Sequence, residues 1–143
     1  MECLNRNATA VFHRLIEGLT EIGNAKKIDN TGGVFMPVSV EFIHENEHGK
    51  QYSITHYYEL NHDLMADPDM TFLVSAVDSR VYPLTFRQDG YPQAEHIAAM
   101  AMDGESILCR PKQQQDITRF ANTWMQNIQA QQRLEVLHGG NQT

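Results

Sequence analysis

Two runs of alternating apolar and polar residues constrain this chain more than any other feature. Val38, Val40 and Phe42 alternate with Ser39, Glu41 and Ile43, and Tyr52, Ile54, His56 and Tyr58 alternate with Ser53, Thr55, Tyr57 and Glu59. A period of two sends successive side chains to opposite faces of a pleated strand, so each run reads as a strand with one face buried. Between them Glu45-Asn-Glu-His-Gly-Lys50 supplies a turn, and the pair is expected to form an antiparallel hairpin.

Helical patterns bracket these strands. From Ala8, apolar residues recur at Val11, Phe12, Leu15, Ile16, Leu19 and Ile22, the three-and-four spacing that gives a helix one apolar face. Asn5 or Asn7 suits its N-cap, and Gly23 suits its end because glycine adopts the left-handed conformation. Residues 24–34, with Lys26, Lys27, Asp29, Asn30, Gly32 and Gly33, have no period and read as a loop. Near the other end, Pro111 suits the first turn of a second helix whose buried stripe is Ile117, Phe120, Ala121, Trp124, Met125 and Ile128. Residues 131–143 read as a frayed tail.

After a loop at residues 61–69, residues 70–77 form a third strand, and Asp78-Ser-Arg80 turns it into a fourth at residues 81–87. Pro83 cannot donate a ladder hydrogen bond, which places that fourth strand at a sheet edge or a bulge. Residues 94–102 fit either a short Ala- and Met-rich helix or a fifth strand turning at Asp103-Gly104 into residues 106–109. Asp-Gly between two apolar runs favours the hairpin. The order helix, strands, helix predicts an α+β fold: an antiparallel sheet of four to six strands with an N-terminal and a C-terminal helix packed on one face, in a single domain over residues 1–130. Alternating βαβ units are absent, which disfavours a nucleotide-binding parallel sheet.

A chain of 143 residues with 41% hydrophobic content can bury a core without disulfides or a metal. Its longest apolar run, residues 97–102, is too short to span a bilayer, and its first residues carry no basic leader followed by an apolar block. The expectations are no membrane and a cytoplasmic location. Cys3 and Cys109 are the only cysteines and lack Cys-x-x-Cys spacing, so neither a disulfide framework nor a thiolate metal cage is expected. The formal charge of −7 argues against direct nucleic-acid binding, which needs clustered Lys and Arg. Residues 41–69 hold Glu41, Glu45, Glu47, Glu59, Asp63, Asp67 and Asp69 against Lys50 alone, whereas in residues 110–133 Arg110, Lys112, Arg119 and Arg133 outnumber Asp116. Should these segments occupy different faces, the molecule is electrically two-sided.

Ionisable groups crowd residues 56–72. A divalent-metal or acid–base site there would draw on His56, Glu59, His62, Asp63, Asp67 and Asp69, because carboxylates with an imidazole suit Mg, Mn or Zn and can activate water. Parity works against it: His56 and Glu59 face opposite sides of a strand unless a bulge intervenes. The structural reading makes Asn61 and Asp63 turn formers, lets Leu64 and Met65 plug the core from the loop, and starts the next strand at Asp67-Pro68. A third reading is a partner surface, with exposed Tyr57, Tyr58 and neighbouring carboxylates docking a basic protein. The candidate binding set is therefore His56, Tyr57, Tyr58, Glu59, Asn61, Asp63, Asp67 and Asp69, with no catalytic or metal-ligating residue assigned. Cys109 has no His partner in sequence, no Gly-x-Ser-x-Gly elbow is present, and Gly32-Gly33 lacks the Lys-Ser or Lys-Thr of a phosphate cradle. Arg110, Lys112 and Arg119 near a helix start read as solvated charge.

At His56-Tyr-Tyr-Glu59, Asn61-x-Asp63-Leu-Met65, Asp67-Pro-Asp-Met-Thr-Phe72, Tyr82-Pro-Leu84 and Arg87-x-Asp89 the chain resembles a family of small bacterial domains of unknown function, often found on plasmids and integrative elements. The likeness continues through Arg110-Pro111 and Phe120-Ala-x-x-Trp124-x-x-Asn127-Ile128, covering roughly residues 36–130. Where that family usually has glycine between the Asn and the Asp, this chain has His62. The resemblance implies a fold and a mobile-element context and carries over no established activity. Together with the absence of a catalytic set, it leads to the expectation of a non-enzymatic accessory protein acting through protein contacts, against a host nucleic-acid-binding or defence protein. No cofactor is expected, and a homodimer stays open. The alternative is a metal-dependent hydrolase or small-ligand domain built on residues 56–69, with a divalent metal as its cofactor.

Overall fold

The first helix, α1 (Arg6–Ile16), starts where the side-chain oxygen of Asn5 accepts the Ala8 N–H at 2.8 Å, which identifies Asn5 rather than Asn7 as the cap. In this computed structural model, residues 1–90, 94–103 and 106–136 are described. Ala8, Val11, Phe12 and Leu15 form the buried stripe of α1, as their spacing requires. The helix stops at Ile16, well before Gly23. Gly18 takes φ +85°, and the Asn24 side chain then accepts the N–H groups of Thr20 and Glu21 at 3.1 and 3.0 Å, closing a separate turn. Leu19 stays buried, but Ile22 is 58% exposed.

Within the expected loop at residues 24–34 lies β1 (Ala25–Ile28), which pairs antiparallel with β2 (Val38–Asn46) from Ala25 opposite Glu41 to Ile28 opposite Val38. Four residues with two lysines carry no readable alternation, so only the partner strand reveals it. The expected hairpin is present: β2 and β3 (Gly49–Leu60) are joined through Glu47 and His48, with Asn46 opposite Gly49. Gly49 has φ +138°, and a side chain there would run into the Val74 carbonyl of β4 (Asp63–Ser75), so only glycine fits.

The loop expected at residues 61–69 is instead a two-residue turn between long strands. Asn61 and His62 adopt φ +53° and +70°, and the ladder runs on either side from Leu60 opposite Asp63 to Tyr57 opposite Ala66. His62 thus holds the left-handed conformation without glycine. A register shift follows between Thr55 and Tyr57, across from Asp67 and Pro68, where proline has no N–H to offer. Aspartate and proline misled the reading of this segment, because they signal turns by propensity while a sheet tolerates them at a bulge.

Strand β5 (Val81–Gln88) pairs with β4, and its ladder shifts where Phe72 faces Pro83, a bulge of the kind expected for that proline. It is not an edge, since β6 (Glu95–Ala98) pairs along Thr85 to Gln88 on its far side. The single strand expected over residues 94–102 is split, because β6 pairs with β5 and only β7 (Met100–Asp103) pairs with β8 (Ser106–Cys109), in a separate two-stranded sheet. The turn residues 104–105 lie outside the described residues.

The main sheet has the order β1-β2-β3-β4-β5-β6, an antiparallel meander. Val38, Val40, Phe42, Tyr52, Ile54, Met70, Phe72 and Phe86 join the buried stripes of α1 and α2 (Pro111–Gln132) in one hydrophobic cluster, so both helices pack over one face. The α+β class and helix placement follow the alternation of the strands. Phe120 departs from its expected stripe: it is 41% exposed, although its ring lies 5.1 Å from Phe86. The domain also extends past residue 130. Gln132 is buried, its side-chain oxygen accepting the Asn30 N–H at 2.8 Å, and Leu134 joins the core, so residues 132 and 134 are part of the domain and not of the frayed tail expected from residue 131. Residues 137–143 lie outside the described residues.

Candidate functional site

The register of β3 and β4 distributes the eight candidate residues over three places. His56 points into the core and is 5% exposed. The Trp124 indole N–H donates to its Nδ1 at 3.3 Å, and the two rings meet edge to face at 5.4 Å. Its Nε2 is buried without a hydrogen-bond partner. Burial pushes the His56 pKa below its usual value, opposed by the negative charge of Asp67. The neutral imidazole is thus a packing and accepting group beneath α2.

At the base of the ribbon, Asp67 and Asp69 are engaged in binding β4 to β5. Asp67 accepts from the Gln88 amide at 2.6 Å, and Asp69 lies 3.8 Å from the Arg87 guanidinium. Arg87 also lies 3.6 Å from Asp89, whose other oxygen accepts the Ala66 N–H at 3.0 Å. Such long, partly exposed ion pairs contribute little stability, but they fix the ends of the strands. Tyr57 sits half-buried on the face away from the helices, in a shallow depression of about 390 Å³ shared with Lys27, Ser39, Glu41, Ser53 and Thr55. Tyr58 takes the other face, its hydroxyl against Gly90, where φ is +101° and any side chain would collide.

Glu59, Asn61 and Asp63 stand exposed at the ribbon tip. Opposition in the ladder puts Glu59 beside Leu64 and Leu60 beside Asp63, one leucine and one carboxylate to each face of the ribbon. Leu60 is 45% and Leu64 65% exposed, so Leu64 does not plug the core as expected, and Met65 is only half-buried. These leucines are what the sequence reading missed. The available signal was two leucines flanking a turn, which a longer loop would have folded inward.

The metal or acid–base set does not assemble. His56 is internal, Glu59 and Asp63 are at the tip, and Asp67 and Asp69 are at the base; among the described residues no three of His, Cys, Asp and Glu gather to hold an ion. The acidity of residues 41–69 is also not confined to one side. Successive turns of a meander lie at opposite ends of the sheet, so Glu45 and Glu47 stand at one end and Glu59 and Asp63 at the other. Among the described residues, no helix is long and apolar enough to cross a membrane.

A family model described as Domain of unknown function (DUF6908) matches residues 10–134. The chain belongs to this family. No curated protein and no solved structure matches it. The DUF6908 match begins inside α1 and ends at the buried Leu134, so it takes in the whole meander, the ribbon and α2.

Proposed function

We propose that this DUF6908 chain is a non-enzymatic accessory protein that works by protein contact, docking the tip of the β3–β4 ribbon onto a basic partner. The observation that carries this reading is the exposure of Leu60 and Leu64 at the ribbon tip, Leu60 beside Asp63 on one face and Leu64 beside Glu59 on the other. Exposed leucines on a two-stranded ribbon provide apolar contact area, and the adjacent carboxylates select a cationic surface. The mobile-element setting implied by the sequence resemblance supports a host nucleic-acid-binding or defence protein as the partner class, since such proteins carry basic surfaces.

The test compares host-lysate partners retained by the wild-type chain and by a double variant, Leu60→Asn with Leu64→Asn. A protein held by the wild type and lost on the tip variant is expected. Changing Asp67 and Asp69 to Asn should leave that partner bound, because both carboxylates are engaged inside the fold. Should every retained protein be indifferent to the tip leucines, the docking reading fails.

A further inference from the structure

We propose that Cys3 and Cys109 form a redox pair that closes reversibly into an intramolecular disulfide under oxidant. They lie far apart in the sequence, yet both half-buried side chains pack against one small cluster of Leu73, Tyr82, Leu84 and Met100. The backbone brings them there from two directions. The Leu4 N–H donates to the Val81 carbonyl at 2.8 Å, which lays Cys3 along the start of β5. The Ala99 N–H donates to the Leu84 carbonyl at 2.9 Å, the Arg110 N–H donates to the Ala99 carbonyl at 2.8 Å, and Met100 pairs with Cys109, which brings β8 to the same stretch of β5. Residue 2 is held as well: the Gln114 side chain accepts the Glu2 N–H at 2.6 Å and donates to the Glu2 carbonyl at 2.7 Å, which ties the N-terminal segment to the start of α2, just after β8.

Both thiols are free and partly exposed, within reach of a small oxidant such as hydrogen peroxide. One sulfur, as thiolate, attacks a peroxide oxygen; the O–O bond breaks, hydroxide leaves and takes a proton to become water, and a sulfenic acid remains. The second thiol attacks that sulfur; the S–O bond breaks, a second water leaves and the S–S bond forms. The two electrons given up by the pair of thiols reduce the peroxide, and a dithiol reductant reverses the change. The bond ties the N-terminal segment to the residue just before Arg110, the cap of α2.

The full chain is treated with hydrogen peroxide, alkylated, and weighed by mass spectrometry without reductant. The expected product is a monomer lighter by two hydrogens, carrying no alkyl label, yielding a cross-linked peptide that contains Cys3 and Cys109, and returning to two labelled thiols after dithiothreitol. Cys3→Ser and Cys109→Ser each abolish it. A monomer that keeps two alkylatable thiols, one that accumulates sulfinic acid instead, or a product made only of disulfide-linked dimers would overturn the pairing.

Discussion

Acidification should weaken this fold through His56, and the effect can be separated from other titrations by one substitution. In the folded chain the imidazole is 5% exposed, its Nδ1 accepts the Trp124 N–H, and the neutral ring therefore carries its proton on Nε2, which has no hydrogen-bond partner among the described residues. Protonation would set an N–H donor against the Trp124 donor and bury an uncompensated charge, which is why burial lowers the pKa while Asp67 only partly offsets it. In the unfolded chain His56 titrates near its ordinary value of about 6.5. Below that pH the unfolded state binds the proton more readily, so stability is complete above about pH 7 and falls as pH drops toward the folded pKa. The ceiling is about 1.4 kcal/mol at pH ~5.5, one unit below the unfolded pKa. In His56→Gln the side-chain carbonyl can still accept from Trp124 but does not titrate. Urea unfolding of both chains, followed by Trp124 fluorescence, should show the wild type losing up to that amount more than the variant between about pH 7 and 5.5. His13, whose pKa burial also lowers, is common to both chains and cancels. Parallel loss in the two proteins would refute the account of a buried, proton-resistant His56.

Two further substitutions test the turns. His62→Gly should stabilise the ribbon by roughly 0.5–1 kcal/mol, since it relieves about 1–2 kcal/mol of left-handed strain at φ +70° and returns part of that as unfolded-chain entropy; an unchanged or lower urea midpoint would argue against the two-residue turn. Gly49→Ala should cost more than about 2 kcal/mol by the same assay, because φ is +138° and the new methyl group meets the Val74 carbonyl of the adjacent strand, and a neutral result would mean that β3 and β4 do not approach so closely.

Much of the architecture was legible because burial on one face leaves a periodic mark. The alternation in β2 and β3, the greater part of each helical stripe, a cap at Asn5 or Asn7, an edge or bulge at Pro83 and the pairing across Asp103-Gly104 are all written in the sequence. Elements without a period are not. Strand β1 is too short, the end of α1 depends on Gly18 and the Asn24 side chain rather than on the apolar stripe, and residues 61–69 look like a loop by composition.

The candidate site divides along the same line. Parity separates His56 from Glu59 unless a bulge intervenes; the ladder does shift register beside His56, and the two residues are separated along the ribbon, with His56 under α2 and Glu59 at the tip. Only the tertiary structure could show that Asp67 and Asp69 are engaged with β5, that Leu60 and Leu64 protrude, and that Cys3 and Cys109 share one cluster. The sequence by itself determined which faces of the elements are apolar, because side-chain period is a local property of the backbone. What lies across from each residue was decided by register, turn length and the return of the chain ends to β5. These are set by pairing between distant segments, and no local pattern encodes them.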